Sequence, residues 1–239
     1  MSALPAGGFA EQALVRAHAA VSFPRHVPFA DVTILYSTYQ TAHVALHHRG
    51  RLRAGEWLLV LAGASGVGSA AIQLGAAADA RVIATAGSPA KLDFCRQIGA
   101  SHVIDHRRED VGRRLAEITE GHGIDVVFDP VGGQLTDTAR RRLAWEGRHL
   151  VVGFAAGRIP DFPANHVLVK NYTVLGVHWS AYTKHDRATV DAAHRHILDL
   201  YERGQIRPVV ARTVALGAVP QALSALENRD VIGRLVLVA

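Results

Sequence analysis

From residue 57 onward, short uninterrupted apolar runs alternate with amphipathic stretches. The runs are residues 57–62 (WLLVLA), 81–86 (RVIATA), 102–105 (HVID), 125–129 (DVVFD), 148–154 (RHLVVGF) and 172–179 (YTVLGVHW). They are short, β-branched and continuous rather than alternating, the pattern of strands buried on both faces. The stretches between them carry helix punctuation. Ser88 and Pro89 read as an N-cap followed by proline at the first helical position, and Gly99 stands just past that helix's end. Regular strand–helix alternation predicts right-handed crossovers and hence an α/β fold built on a doubly wound parallel sheet.

The two ends break this rhythm. Residues 8–30 form a strand-like piece with two prolines and no helical period. After Trp179 the pattern predicts a helix opened by Asp186 and closed by Gly204. A strand over 208–214, a short helix over 220–226 and a terminal strand over 234–239 follow. These last elements look like a segment returning to a second domain.

Composition narrows the class. With 239 residues and 49% hydrophobic residues, the chain has the apolar area for a sizeable core and is not a disordered polymer. A single cysteine excludes a disulfide framework and a multi-cysteine zinc site. No apolar stretch approaches the roughly 20 residues of a membrane helix, and the N-terminus lacks the pattern of a secretory signal. A soluble, cytoplasmic protein is expected. The formal charge of +5 is dispersed, mostly over arginines, with no dense basic and aromatic patch. It favours an anionic small molecule over nucleic acid or a membrane.

The informative chemistry lies in the turn after the first buried strand. Gly63-Ala64-Ser65-Gly66-Val67-Gly68 has the form GxSxxG and leads into a small-residue helix, Ser69-Ala-Ala-Ile-Gln-Leu74. A tight glycine turn between a strand and a helix points backbone N–H groups and the helix N-terminus at a pyrophosphate. The plain alternative is a tight strand–helix turn with no ligand. Where an NAD site carries an acid at the end of the second strand, this chain has Ala86, Gly87 and Ser88. Lys91 follows one turn into the helix, and Arg107 and Arg108 follow the third strand. A hydroxyl and cations in place of an acid predict NADP(H) rather than NAD(H).

Four segments together are specific: LLVLAGASGVGSAAIQLG, RVIATAGSPAKLDFCRQIGASHVIDHRRED, GIDVVFDPVGG and GRHLVVGFAAGRIPDFPANHVLVKNYTVLGV. They resemble the zinc-independent quinone oxidoreductase (zeta-crystallin-like) branch of the medium-chain dehydrogenase/reductases, from about Gly8 to Ala239. The resemblance implies a GroES-like catalytic domain packed on a Rossmann domain. Residues 1–30 would be a remnant of the former, 31–180 the Rossmann domain and 181–239 the return to the GroES-like domain. Most of the GroES-like domain would precede the matching region.

The resemblance also implies site residues. Ser65, Gly66, Val67 and Gly68 match the pyrophosphate turn; Gly87, Ser88 and Lys91 match the 2′-phosphate loop. His106 stands where a tyrosine often lies near the adenosine ribose. Val152, Gly153, Phe154 and Ala155 match the loop at the nicotinamide carboxamide. Thr41 and Arg229 match residues near the cofactor. Ser65 departs from an all-glycine turn, and His43 stands where a tyrosine is common.

The implied activity is NADPH-dependent reduction of quinones or other α,β-unsaturated carbonyls by hydride transfer. The competing expectation is an NADP(H)-binding protein with little or no turnover, because most of the catalytic domain would be absent. No catalytic residue is assigned. Tyr36, Tyr39 and His43 are the only candidate proton donors near the expected nicotinamide, and each reads first as a packing residue under the cofactor. Cys95 reads as a buried small residue. His43 and His47 have i, i+4 spacing but no evident third ligand, so no metal is expected. Residues 172–177, from Tyr172 to Val177, form an apolar edge strand, through which relatives dimerise. A homodimer is therefore expected.

Overall fold

The computed structural model describes residues 7–228 and 230–238. Six strands form one parallel sheet: β1 (Trp57–Val60), β2 (Arg81–Ala86), β3 (His102–Asp105), β4 (Ile124–Asp129), β5 (Leu143–Val151) and β6 (Thr173–Gly176). Their spatial order is β3-β2-β1-β4-β5-β6, so the chain reverses its winding between β1 and β4. That reversal is the doubly wound Rossmann arrangement, and it opens a crevice at the carboxyl ends of β1 and β4.

The continuous apolar runs are explained by layers on both faces. Leu58 and Val60 of β1 join a cluster with Ala70, Ala71, Ile72 and Leu74 of the helix Gly66–Ala77. Leu59 and Leu61 point the other way, into a cluster with Val111, Leu115 and Ala139. The side chains of Leu58, Leu59 and Val60, and of Leu61 just past the strand, are fully buried. Burying each is worth about 1.5–3 kcal/mol relative to leaving it in water.

Several boundaries differ from the sequence pattern. β5 begins at Leu143, five residues ahead of its apolar run, with exposed Trp145 at its irregular start. Its register against β4 shifts between Ile124 and Val126. The run 172–179 is split: β6 ends at Gly176, and Trp179 opens the helix Trp179–His185. Within residues 8–30 there is no strand; a 3-10 turn, Ala17–Ala19, is the first helical element, and Phe29 begins a helix.

That helix runs unbroken to Arg49 and is the largest element absent from the sequence pattern. It alternates α (Phe29–Ile34, Gln40–His43) with π segments (Leu35–Tyr39, Val44–Arg49). It packs against the helices Gly66–Ala77 and Arg187–Glu202. The helix predicted after Asp186 is present as Arg187–Glu202, with the Asp186 carboxylate accepting from Thr189 N–H at 3.1 Å.

The C-terminal segment forms a separate two-stranded parallel sheet, β7 (Val210–Ala215) and β8 (Arg234–Val238), flanking the helix Val219–Glu227. Three contacts tie it to the large sheet. Gln73 exchanges two hydrogen bonds with the Arg207 backbone, at 2.6 and 2.9 Å. The Tyr39 hydroxyl donates to Arg207 O at 3.0 Å. Gly233 N–H donates to Ala64 O at 2.9 Å, which joins the C-terminal segment to the glycine turn itself. Among the described residues no helix is long and apolar enough to cross a membrane.

Candidate functional site

A cleft of about 1000 Å³ opens at the carboxyl ends of β1, β2 and β4. One wall is the glycine turn with Ser65, Gly66 and Val67; a second carries Gly87, Ser88, Lys91, His106 and Arg107. Val131 and Gly132 form part of its β4 side, and the segment around Glu227 to Arg234 closes it from the C-terminal sheet.

The glycine positions are set by close approach. A Cβ on Gly68 would lie 2.2 Å from Ala62 O, so only glycine lets this helix start hard against β1. Ser65 is the helix N-cap, and its hydroxyl accepts from Gly68 N–H at 3.1 Å. The serine that departs from an all-glycine turn thus satisfies one of the four free N–H groups of the helix start. Its side chain still lines the cleft. A Cβ on Gly66 would meet the Arg234 side chain, 2.3 Å from its Cδ.

Arg234 was not singled out by sequence reasoning. It follows Gly233 at the start of β8 and reaches back across the glycine turn. Protein packed around its guanidinium lowers its pKa, although the residue as a whole remains exposed to solvent. Among the described residues no carboxylate lies within ion-pair distance of it. A cation without a carboxylate partner beside a helix N-terminus suits an anion. The bare signal was Gly233-Arg234 ahead of the last apolar run, which nothing local connects to residue 66.

Ser88 caps the helix Pro89–Gln97 in position only: it has extended backbone angles and Pro89 follows, but its hydroxyl makes no cap hydrogen bond. That leaves the hydroxyl on the cleft wall. Gly87 is crowded by cationic and imidazole groups; a Cβ there would sit 2.9 Å from Arg107 Nε and 3.0 Å from His106 Nε2.

Asp129, at the end of β4, is a second residue the sequence pattern did not single out. Its carboxylate accepts from the Val131 and Gly132 N–H groups at 2.8 and 2.9 Å, from the Thr136 hydroxyl, and meets His149 Nε2 at 2.9 Å. Burial pushes this carboxyl up, but the His149, Thr136 and Gly132 hydrogen bonds outweigh it and hold the group below its usual range. The network fixes the turn that lines the cleft next to β4.

Of the predicted cofactor residues, Ser65, Gly66, Val67, Gly87, Ser88, Lys91, His106 and Ala155 are brought together on the cleft. Gly68 lies beneath it as the packing glycine. Val152 and Gly153 follow β5 and donate to Asp129 O at 2.8 and 3.2 Å; with the half-exposed Phe154 they stand beside the cleft rather than in its lining. Thr41 is not on the cleft: its hydroxyl donates to Ser37 O at 2.8 Å within its own helix. Arg229 lies outside the described residues; its neighbours Asn228 and Asp230 line the cleft.

The candidate proton donors do not reach the cleft. Tyr39 is buried with its hydroxyl committed to Arg207 O, and burial raises its pKa. Tyr36 packs edge-on against Trp179. His43 is buried, and its Nε2 bonds His196 Nδ1 at 2.9 Å. Burial and the neighbouring imidazoles of His47, His196 and His48 lower its pKa to about 3. His196 is a third imidazole beside the i, i+4 pair, but no three ligating side chains among the described residues are arranged to hold a metal ion. Cys95 is fully buried, and burial pushes its thiol up to about 12, far from the range of a nucleophile.

A family described as "Zinc-binding dehydrogenase" matches residues 66–199. The chain is 32% identical to the quinone oxidoreductase-like protein 2 homolog of Nematostella vectensis, over 97% of this chain and 64% of that one. It therefore spans just under two thirds of that relative's length. Its fold superposes on a probable oxidoreductase from Mycobacterium abscessus with a TM-score of 0.86 and 33% identity, over 98% of this chain and 70% of the other. It also superposes on the Escherichia coli quinone oxidoreductase complexed with NADPH, with a TM-score of 0.85 and 27% identity, over 93% of this chain and 69% of the other. With the switch-point sheet, the glycine turn and a family match that covers more than half of its residues, the chain belongs to the medium-chain dehydrogenase/reductases, in their quinone oxidoreductase-like branch.

Proposed function

We propose that the chain is an NADPH-dependent oxidoreductase acting on quinones or other α,β-unsaturated carbonyls. The observation that carries this reading is that one cleft is lined by two groups of residues suited to anions. The first is the glycine turn with Arg234 over Gly66; the second is Ser88, Lys91, His106 and Arg107 around Gly87. A dinucleotide with a pyrophosphate and a 2′-phosphate presents anions in that order along its length. The absence of an acid at the end of β2 favours the 2′-phosphate over a free 2′-hydroxyl. The E. coli neighbour that carries NADPH supports the same cofactor.

NADPH, when bound, supplies a hydride to a conjugated acceptor. The chain's own residues bind and orient. Gly66 and Val67 N–H groups with Arg234 would hold the pyrophosphate; Ser88, Lys91 and His106 would hold the adenosine phosphate. The loop of Val152 to Ala155, anchored on Asp129 O and Pro130 O, would carry the carboxamide end. No titratable side chain of the long helix reaches the cleft, so the proton that completes reduction is assigned to solvent. We assign residues 31–180 to cofactor binding and β6, one of the two edge strands of the sheet, to pairing with a second copy in a homodimer.

The test is to mix the chain with NADPH and a panel of quinones and enones and follow nicotinamide absorbance. Acceptor-dependent oxidation supports the proposal. Saturable binding without oxidation would replace it with a dinucleotide-binding protein that does not turn over; absence of binding would reject both.

A further inference from the structure

We propose that His149 is a positioning residue: through the Asp129 carboxylate it sets the wall of the cleft that faces the nicotinamide half of the dinucleotide. The inference rests on the dinucleotide reading of the cleft, and it adds a residue that does not itself line that cleft.

A dinucleotide lies across the point where the strand order reverses, one half of it over each half of the sheet. Gly66, Ser88, Lys91 and His106, the groups suited to anions, stand on the β1–β3 half. The β4–β6 half supplies a wall made of two chain segments. Val131, Gly132, Gln134 and Leu135 line the cleft from the turn after β4, and Ala155 and Ala156 from the loop after β5. None of these six side chains is ionisable, so this wall acts by its shape and its backbone groups.

Four backbone hydrogen bonds join the two segments, and all four end on three consecutive residues. Asp129 O accepts from Val152 and Gly153 N–H at 2.8 and 3.2 Å, Pro130 O from Ala155 at 3.2 Å and Val131 O from Ala156 at 2.8 Å. Where residues 129–131 sit therefore decides where the loop after β5 sits. The Asp129 carboxylate is tied to its own side of the wall by Val131, Gly132 and Thr136. Among the described residues, His149 is its one partner from β5, the strand that leads into the loop, and its Nε2–H donates to Oδ2 at 2.9 Å.

The ring is fully buried and packs edge-on against Phe162, at the far end of the same loop, with centroids 5.0 Å apart. The hydrogen bond to Asp129 is the only one it makes among the described residues. An apolar side chain would fill this volume without the cost of burying an imidazole, so packing alone does not account for a histidine here. The tie to Asp129 does. It locks the exit of β5 to the turn after β4, and so fixes both segments of the wall at once.

The experiment is equilibrium titration of the full chain with NADPH and with 2′,5′-ADP, which is the adenosine half alone. It compares the wild type with His149→Leu, His149→Gln, His149→Asn and Leu115→Ala. His149→Leu is expected to weaken NADPH by about tenfold and to leave 2′,5′-ADP within about twofold, the effect of losing one buried, charge-assisted hydrogen bond. His149→Gln, whose amide extends to the place of Nε2, should restore most of the loss. His149→Asn, one methylene shorter, should not. Leu115→Ala truncates the core on the same face of the sheet without touching the wall. It should lower the thermal midpoint and leave the NADPH-to-ADP affinity ratio unchanged. Where His149→Leu does not fold, equal ratios in His149→Gln and His149→Asn overturn the inference. A ratio unmoved in every His149 variant, or both ligands weakened alike, overturns it while the dinucleotide reading stands. A wild type that binds neither ligand overturns that reading and this inference with it.

Discussion

The Arg234 side chain occupies the space that a Cβ on Gly66 would fill, 2.3 Å from Cδ and 2.7 Å from Cγ. The two residues are far apart in sequence and are brought together by the Gly233 N–H to Ala64 O hydrogen bond. The pair couples the glycine turn to the C-terminal sheet, and it places a cation beside the position proposed for a pyrophosphate.

Arg234→Ala should therefore weaken NADPH and NADH by the same factor, about 10- to 100-fold, because both share the pyrophosphate. Gly66→Ala should weaken both equally as well, by displacing the Arg234 stem, at a stability cost of about 1–3 kcal/mol. Parallel titrations with the two nucleotides check this. A changed ratio would place Arg234 at a different part of the ligand.

Asp129 has a different kind of consequence. Its carboxylate organises Val131, Gly132, Thr136 and His149 while almost fully buried. Asp129→Asn should cost about 3 kcal/mol in stability at neutral pH, since it breaks a buried network while leaving the partners in place. Its folded pKa is depressed, so its contribution is present above the unfolded value of about 3.9 and is lost as pH falls through the folded value. Urea unfolding of wild type and variant should give curves that converge as the pH drops below about 4.

His43 and His47 lose stability in the same direction, as pH falls, but as neutral rings rather than as a charged carboxylate. Burial and neighbouring imidazoles lower them to about 3 and about 4. The unfolded chain protonates first, near pH 6.5, so the neutral rings stabilise the fold fully above about 6.5 and progressively less as pH falls toward the folded values. Between about pH 6 and 5 the pair should contribute nearly two protons to the slope of stability against pH. His43→Gln and His47→Gln should each remove about one, measured by urea unfolding across that range. An unchanged slope in both variants would contradict the burial of these rings.

The strands were legible because a sheet covered on both faces demands unbroken apolar runs, and β2 and β3 fall where those runs begin and end. The glycine turn was legible because its constraints are local: Gly68 against Ala62 and Ser65 on Gly68 N–H lie within seven residues. The helix of residues 29–49 was not, since its buried face alternates between α and π spacing and no single period describes it. Thr41 shows the limit of matching by position: the threonine is there, but its hydroxyl is satisfied by Ser37 O inside the helix. Arg234 and Asp129 were missed for a shared reason. What makes each of them matter is contact with residues distant in sequence, Gly66 in one case and His149 in the other.

The most direct test is an equilibrium titration of the unmodified chain with NADPH and NADH by calorimetry. Saturable binding of NADPH at one site per chain, at least about tenfold tighter than NADH, is the predicted result, the margin one charge-assisted phosphate contact provides. Failure to bind NADPH, or equal affinity for the two nucleotides, would contradict the assignment of this cleft.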